Sequence, residues 1–212
     1  MKLTLFTSGS TKEPKQVTHK NMLPYIQASL DETKLTADDV VLDVFPSNVI
    51  AHYTITSQPA LAAGAHLISA NFDPYTYIRL FNEYRPTFIA LIPKHYEILS
   101  KTKGWDNLDM SCVRYMVTGS SSITQDMINA FRNRGVKTVA NWYGMTEMPP
   151  PVFIAYNSNK FDLTKSQYDV YFTNEGECVI NGLYTNDIFN VNTGQIIGRK
   201  EISNGSTWKT NI

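Results

Sequence analysis

The sequence predicts an α/β protein, a parallel sheet with flanking helices followed by a small antiparallel β subdomain. Three observations predict it. From Val40 to Asn141, short β-prone runs alternate with helix-length segments, the pattern of βαβ units. One of those runs, Thr87 to Ile92, is almost continuously apolar, as in a strand buried on both faces. After Pro149-Pro150-Pro151 the helical periodicity stops, and short β-prone runs separated by Asn, Gly and Asp turns take over. The predicted boundary therefore falls between residues 1–150 and 151–212.

Leu3 to Phe6 reads as a strand. His19 to Lys34 reads as a helix, with Met22, Ile26, Ser29 and Leu30 on one face and Pro24 near its first turn. Val40 to Phe45 is a β-branched strand that ends at Pro46, and Ala51 to Ala63 is a helix closed by Gly64. Ala65 to Ala70 is the next strand. Asp73 is an N-cap with Pro74 at the first helical position, opening a helix to Tyr84. Pro93 to Ser100 is a helix, Val113 to Val117 a strand, Ile123 to Arg134 a helix stopped by Gly135, and Lys137 to Asn141 a strand. Downstream, Val152–Ala155, Tyr168–Thr173, Glu177–Ile180, Leu183–Val191 and Ile196–Gly198 are the strands expected of the second subdomain, read as barrel-like.

The chain has 212 residues, enough for one large or two small domains with a real core. Charged residues make up 18% and the formal net charge is zero, which argues against electrostatic binding of nucleic acid or of an anionic membrane. No apolar run is long enough to span a bilayer, and the first residues turn polar too soon for a signal peptide. Cys112 and Cys178 lie far apart with no metal-ligand spacing, so both are expected to be reduced thiols of a cytoplasmic protein.

Two stretches carry chemistry. The first follows the opening strand: Thr7-Ser8-Gly9-Ser10-Thr11-Lys12-Glu13-Pro14-Lys15. Its hydroxyls and backbone N–H groups can donate to phosphate oxygens, Gly9 permits close approach, and Lys12 and Lys15 add positive charge. It is not a Walker loop, because no Gly-Lys-Ser/Thr follows at the required spacing. The second is Asn141-Trp142-Tyr143-Gly144-Met145-Thr146-Glu147, just past the carboxyl end of a predicted strand. Tyr143 offers a flat face to a nucleobase, Gly144 a tight turn, Thr146 a hydroxyl to a phosphate and Glu147 a hard oxygen to Mg²⁺.

In this order the two stretches resemble the adenylate-forming superfamily of acyl-CoA synthetases, peptide-synthetase adenylation domains and luciferases. The family's phosphate loop reads TSGSTGxPKxVxxxH; here Lys12 replaces its second glycine and His19 falls at the usual place. The Tyr143–Glu147 stretch matches its Y-G-x-T-E motif. Weaker matches follow in order: Gly119-Ser120-Ser121 resembles an adenine-side loop and Gly176-Glu177 a Gly-Glu turn. Thr185-Asn186-Asp187 resembles T-G-D, with Asn186 tolerating left-handed backbone in place of glycine, and Gly198-Arg199-Lys200-Glu201 resembles a G-R-x-D hinge.

The resemblance implies an enzyme that uses ATP and Mg²⁺ to activate a carboxylic acid as an acyl-adenylate, with residues 1–150 as its nucleotide-binding region. Tyr143 would stack on adenine, Thr146 contact phosphate, Glu147 hold Mg²⁺ and Asp187 hold the ribose hydroxyls. Thr7, Ser8, Gly9, Ser10, Thr11, Lys15, Gly119, Ser120, Ser121, Asn141, Trp142, Gly144 and Arg199 would complete the nucleotide site. Thr7, Lys12, Lys15, Thr146 and Glu147 would act in catalysis, and His52 would border the acyl pocket.

Family enzymes also carry a long region before the phosphate loop and a C-terminal lid bearing a lysine. Here Met1 lies six residues before Thr7 and the sequence stops eleven residues after Glu201. Without a lid, Lys12 is a candidate substitute cation. The competing readings are a catalytically weakened ATP- or AMP-binding protein and a subunit that needs a partner chain for the lid. Apolar sheet surface left bare by the missing N-terminal layer predicts a homo-oligomer.

Overall fold

The computed structural model describes residues 1–7 and 14–200, and the backbone of 208–209. The chain opens with β1 (Leu3–Phe6) and β2 (Gln16–His19), then α1 (Leu23–Thr33) and β3 (Val40–Asp43). A π-helical turn over His52–Thr56 runs straight into α2 (Ser57–Ala63). Next come β4 (His66–Ser69), α3 (Pro74–Tyr84), β5 (Phe88–Ala90), α4 (Pro93–Leu99), β6 (Tyr115–Gly119), α5 (Gln125–Asn133) and β7 (Val139–Tyr143). The remaining strands are β8 (Phe153–Tyr156), β9 (Val170–Phe172), β10 (Glu177–Ile180), β11 (Leu183–Asn190), β12 (Gln195–Lys200) and β13 (Trp208–Lys209).

The main sheet has six strands in the order β4-β3-β5-β6-β7-β8, parallel from β4 to β7. Its pleat sends alternate side chains to opposite faces. Leu42, Ile89, Met116 and Val139 face a core built with Tyr77, Phe81, Leu99, Ile128 and Phe131 of α3, α4 and α5. Val41, Phe88, Ala90, Tyr115, Val117, Ala140 and Trp142 face the other core, against Ala60 of α2 and Leu30 of α1. Covering both faces of a parallel sheet this way is the arrangement that the unbroken apolar run at Thr87–Ile92 anticipates.

Four expectations shift. His19 belongs to β2, paired with Leu3, so the first helix begins only at Leu23; the short polar strand Gln16–His19 has no apolar alternation to announce it. The predicted Val113–Val117 strand sits two residues later, as β6. The predicted Ala51–Ala63 helix opens with a π turn, where Thr54, Thr56 and Ser57 hydroxyls donate back to the carbonyls of Ile50 and His52. Finally, Val152–Ala155 does not join the later strands. As β8 it pairs antiparallel with β7, Trp142 opposite Ile154 and Tyr143 opposite Phe153, because the chain doubles back across Pro149–Pro151.

The second sheet is antiparallel, ordered β13-β12-β11-β10-β9. Its inner face packs Cys178, Ile180 and Phe189 against Tyr143, Phe153 and Phe161. This third core joins the small sheet to the carboxyl end of β7. β1 and β2 form a separate two-stranded hairpin, held to α1 through Leu5, Met22 and Ile26.

Candidate functional site

Ligands of open α/β sheets bind at the carboxyl ends of the strands. Four segments converge on that side here. The first is the β1–β2 hairpin. The Thr7 N–H donates to the Lys15 carbonyl at 2.9 Å and the Lys15 N–H to Thr7 Oγ1 at 3.0 Å, which closes the base of the predicted phosphate loop. Pro14 and Lys15 are exposed. Ser8, Gly9, Ser10, Thr11 and Lys12 lie outside the described residues. A cavity of about 420 Å³ beside the hairpin is lined by Thr7, Pro14, Ser47, Asn48 and Tyr53 among others.

The second segment ends β6. A Cβ on Gly119 would stand 2.4 Å from the Trp142 carbonyl oxygen, so only glycine lets β6 and β7 approach there. Ser120 follows in left-handed backbone, φ +69°, an uncommon state for serine that turns the exposed Ser120-Ser121 pair outward.

The third is the end of β7. The strand's alternation separates its residues. Trp142 shares a face with Ala140 and is buried in the sheet core with Tyr115 and Val117; Asn141 is buried as well. Both belong to the expected nucleotide ligands, and both side chains lie buried in the sheet here. Tyr143 is the residue at the strand end, 7% exposed. Its ring is not the open face the sequence suggested. It stacks on Phe153 at 5.9 Å and meets Phe161 and Phe189 edge-on, because the small sheet packs against this strand end. Its hydroxyl donates to Asp187 Oδ2 at 2.7 Å. After Tyr143 the chain turns sharply. A Cβ on Gly144 would come 2.7 Å from the Pro150 nitrogen. Half-buried Thr146 and Glu147 sit on this turn.

The fourth segment is β11. Thr185 Oγ1 donates to the Cys178 carbonyl at 2.8 Å and accepts from the Asp187 N–H at 3.1 Å. Asn186 adopts φ +63°, the left-handed backbone expected of the residue replacing glycine, and its N–H donates to buried Glu177 at 3.1 Å. These bonds aim Asp187 at Tyr143, with Arg199 Nε 3.6 Å from the other carboxylate oxygen. Burial pushes the Asp187 carboxyl above its ordinary range, against the Tyr143 hydroxyl and Arg199, which pull it down. Burial and the Asp187 charge both push the Tyr143 phenol up.

His52 sits on the π turn. Its Nδ1 lies 2.7 Å from Oδ2 of Asp43, which is fully buried at the carboxyl end of β3. Burial raises the Asp43 carboxyl, opposed by the Phe45 N–H, Thr56 and His52. Asp43 was not singled out from the sequence; an acid closing an otherwise apolar strand was the available signal. His95, without motif context, proves a core residue stacked on Phe72 at 3.9 Å, its pKa lowered by burial to about 4. Cys112 and Cys178 are free thiols, and burial pushes Cys178 up to about 12. No helix among the described residues is long and apolar enough to cross a membrane.

Among the described residues no three His, Cys, Asp or Glu side chains cluster as a cation cage. Mg²⁺ in nucleotide sites needs only one or two carboxylates beside phosphate oxygens and water, so the half-buried Glu147 on this turn fits it.

A mostly parallel sheet covered by helices, with several segments meeting at its strand ends, defines an α/β protein. More narrowly, the chain belongs to the AMP-binding enzyme family, whose pattern matches residues 3–174. It is 30% identical over 155 residues to a feruloyl-CoA synthase from Amycolatopsis sp., covering 72% of this chain and 31% of that protein. An indoleacetate–CoA ligase from Aromatoleum aromaticum is 30% identical over 151 residues, covering 70% of this chain and 29% of the ligase. The chain thus spans about a third of the length of the curated relatives it matches. O-Succinylbenzoate coenzyme A synthetase (MenE) from Bacillus subtilis, solved with ATP and magnesium ion, superposes with a TM-score of 0.74. The superposition covers 97% of this chain and 52% of that one at 18% identity, a likeness of fold.

Proposed function

We propose that the chain carries the nucleotide half of an AMP-forming acid ligase, which activates a carboxylic acid as an acyl-adenylate. One observation carries this reading. The Tyr143–Asp187 hydrogen bond unites the Y-G-x-T-E and T-N-D segments, 44 residues apart, at the carboxyl end of β7. In the reaction a carboxylate oxygen of the acid bonds to the α-phosphorus of ATP and the bond to pyrophosphate breaks. Asp187 accepts from the ribose hydroxyls, and the hydroxyl of Tyr143 keeps it oriented. The Gly119–Ser121 loop borders the base, beside the edge of the Tyr143 ring. The Thr146 hydroxyl, Thr7 and Lys15 bind phosphate oxygens, and His52 borders the acid. Mg²⁺, held by Glu147, would supply positive charge to the leaving pyrophosphate.

The curated relatives are named for aromatic acids, so the acid panel for a test begins with ferulate, 4-coumarate and indoleacetate. Acid-dependent exchange of labelled pyrophosphate into ATP is expected with one of them. Glu147→Gln should weaken Mg·ATP more than AMP, because the carboxylate acts through the metal; equal losses in calorimetry would remove it as the metal ligand. Absence of AMP binding by the intact protein would overturn the reading itself.

A further inference from the structure

His19 closes the TSGST-to-His stretch, yet none of the roles above uses it. Its ring is buried, 8% exposed, at the end of β2. Nε2 lies 2.7 Å from the backbone carbonyl oxygen of Thr146, 127 residues along the chain. A carbonyl can only accept, so Nε2 carries the proton and donates. Tyr25 meets the ring edge-on at 5.4 Å and fixes its plane.

Among the described residues, the hairpin that carries His19 is not hydrogen-bonded into either larger sheet. Its position relative to the Thr146–Glu147 turn therefore depends on side chains. Across that turn, the Tyr168 hydroxyl donates to the Pro149 carbonyl at 2.6 Å and Gln167 Nε2 to the Pro151 carbonyl at 2.9 Å. The turn is thus held from the small-subdomain side by residues 167 and 168 and from the hairpin side by His19.

We propose that His19 is a positioning residue that sets the Thr146–Glu147 turn against the Thr7–Lys15 base of the hairpin. One donor would then fix the spacing between the groups that meet the β- and γ-phosphates and the carboxylate that meets their metal. AMP lacks those phosphates, so its binding should be indifferent to the tie. The inference rests on the proposed nucleotide site for its consequence, but its mechanical part can be read without nucleotide.

The test uses the intact chain with His19→Leu, which removes the donor, and His19→Gln, whose amide N–H group has comparable reach. In ligand-free protein, His19→Leu should speed amide hydrogen exchange in peptides covering residues 143–148 and 3–7 while leaving β5 and β6 unchanged. Calorimetry should show Mg·ATP affinity falling about tenfold, the scale of one net hydrogen bond, with AMP affinity unchanged. His19→Gln should recover both properties. Unchanged exchange at 143–148 in a folded His19→Leu protein would overturn the tie, whatever the nucleotide results. Equal loss of Mg·ATP and AMP affinity, or failure of a folded His19→Gln to recover, would overturn its positioning role. If the wild type binds neither AMP nor Mg·ATP while the exchange change appears, the nucleotide reading and the positioning role fall and the mechanical tie stands.

Discussion

Asp39 and Asp187 are two sunken carboxylates held in opposite ways. Asp39 lies just before β3, at the amino end of the parallel strands. Arg114 Nε and Nη2 donate to its two oxygens at 2.7 and 2.6 Å, Thr87 donates at 2.6 Å and the Thr36 N–H at 2.9 Å. Burial pushes this carboxyl up, but Arg114 and these donors outweigh it and hold the pKa down at about 2. Asp187 has one phenol at hydrogen-bond distance and a guanidinium at 3.6 Å, and burial wins. The difference is the supply of donors. Asp39 has its needs met within the fold, as a structural carboxylate should. Among the described residues Asp187 has spare acceptor capacity, as the proposed contact with ligand hydroxyls requires.

The largest effect expected of this contrast is on stability. Arg114→Ala leaves the buried Asp39 charge without its main partner and should cost roughly 3 kcal/mol, seen as a lower denaturant midpoint at unchanged slope. A loss under about 0.5 kcal/mol would reduce the pair to an ordinary surface bridge.

Acid should expose the same contrast. The folded pKa of Asp39 lies below its ordinary 3.8, so its contribution is present above pH 4 and is lost as pH falls towards about 2. The full difference is worth roughly 2 kcal/mol. Asp187 and Asp43 have the opposite sign. Their raised carboxyls favour the folded state most at low pH, and that favour fades as pH rises through their folded values. Unfolding curves from pH 5 to 2 should therefore flatten in Asp39→Asn and steepen in Asp187→Asn.

Near neutral pH, Asp187→Asn should leave stability unchanged or slightly raised, since a poorly compensated charge disappears. AMP affinity should fall about tenfold, or roughly 1.4 kcal/mol. A protein that loses stability but keeps AMP would place Asp187 with Asp39 as a structural group. The smallest expected change is that of Tyr143→Phe, which keeps the aromatic packing and deletes one donor. It should cost AMP affinity about 1 kcal/mol or less and move the Asp187 carboxyl further up, measurable by carbon-13 titration of its side chain.

The sheet was legible because its signals are local. Apolar runs mark β3, β5 and β6, Asp73-Pro74 caps α3, and the Asp73 side chain does accept the Thr76 N–H at 2.8 Å. The left-handed backbone at Asn186 could also be anticipated, because it follows from one residue's tolerance. What stayed hidden depends on distant partners. Nothing near Val152 tells that β8 will pair with β7 rather than with later strands. Likewise, Tyr143 reads as an exposed face until Phe153, Phe161 and Phe189 arrive from elsewhere to cover its ring. His19 was visible as a letter in a motif, but its acceptor is a backbone carbonyl, which has no sequence identity at all.

The position of the Asp39 cluster also bears on how such a scaffold tolerates change. Asp39, Thr87 and Arg114 precede β3, β5 and β6, whereas Asp43, Gly119 and Tyr143 close β3, β6 and β7. The ionic fastening and the strand-end loops are thus separated by the length of the strands. Substitutions at distant sites with no shared partner add independently. A lineage could therefore remodel residues at the carboxyl ends of the strands without loosening the clasp at the opposite edge.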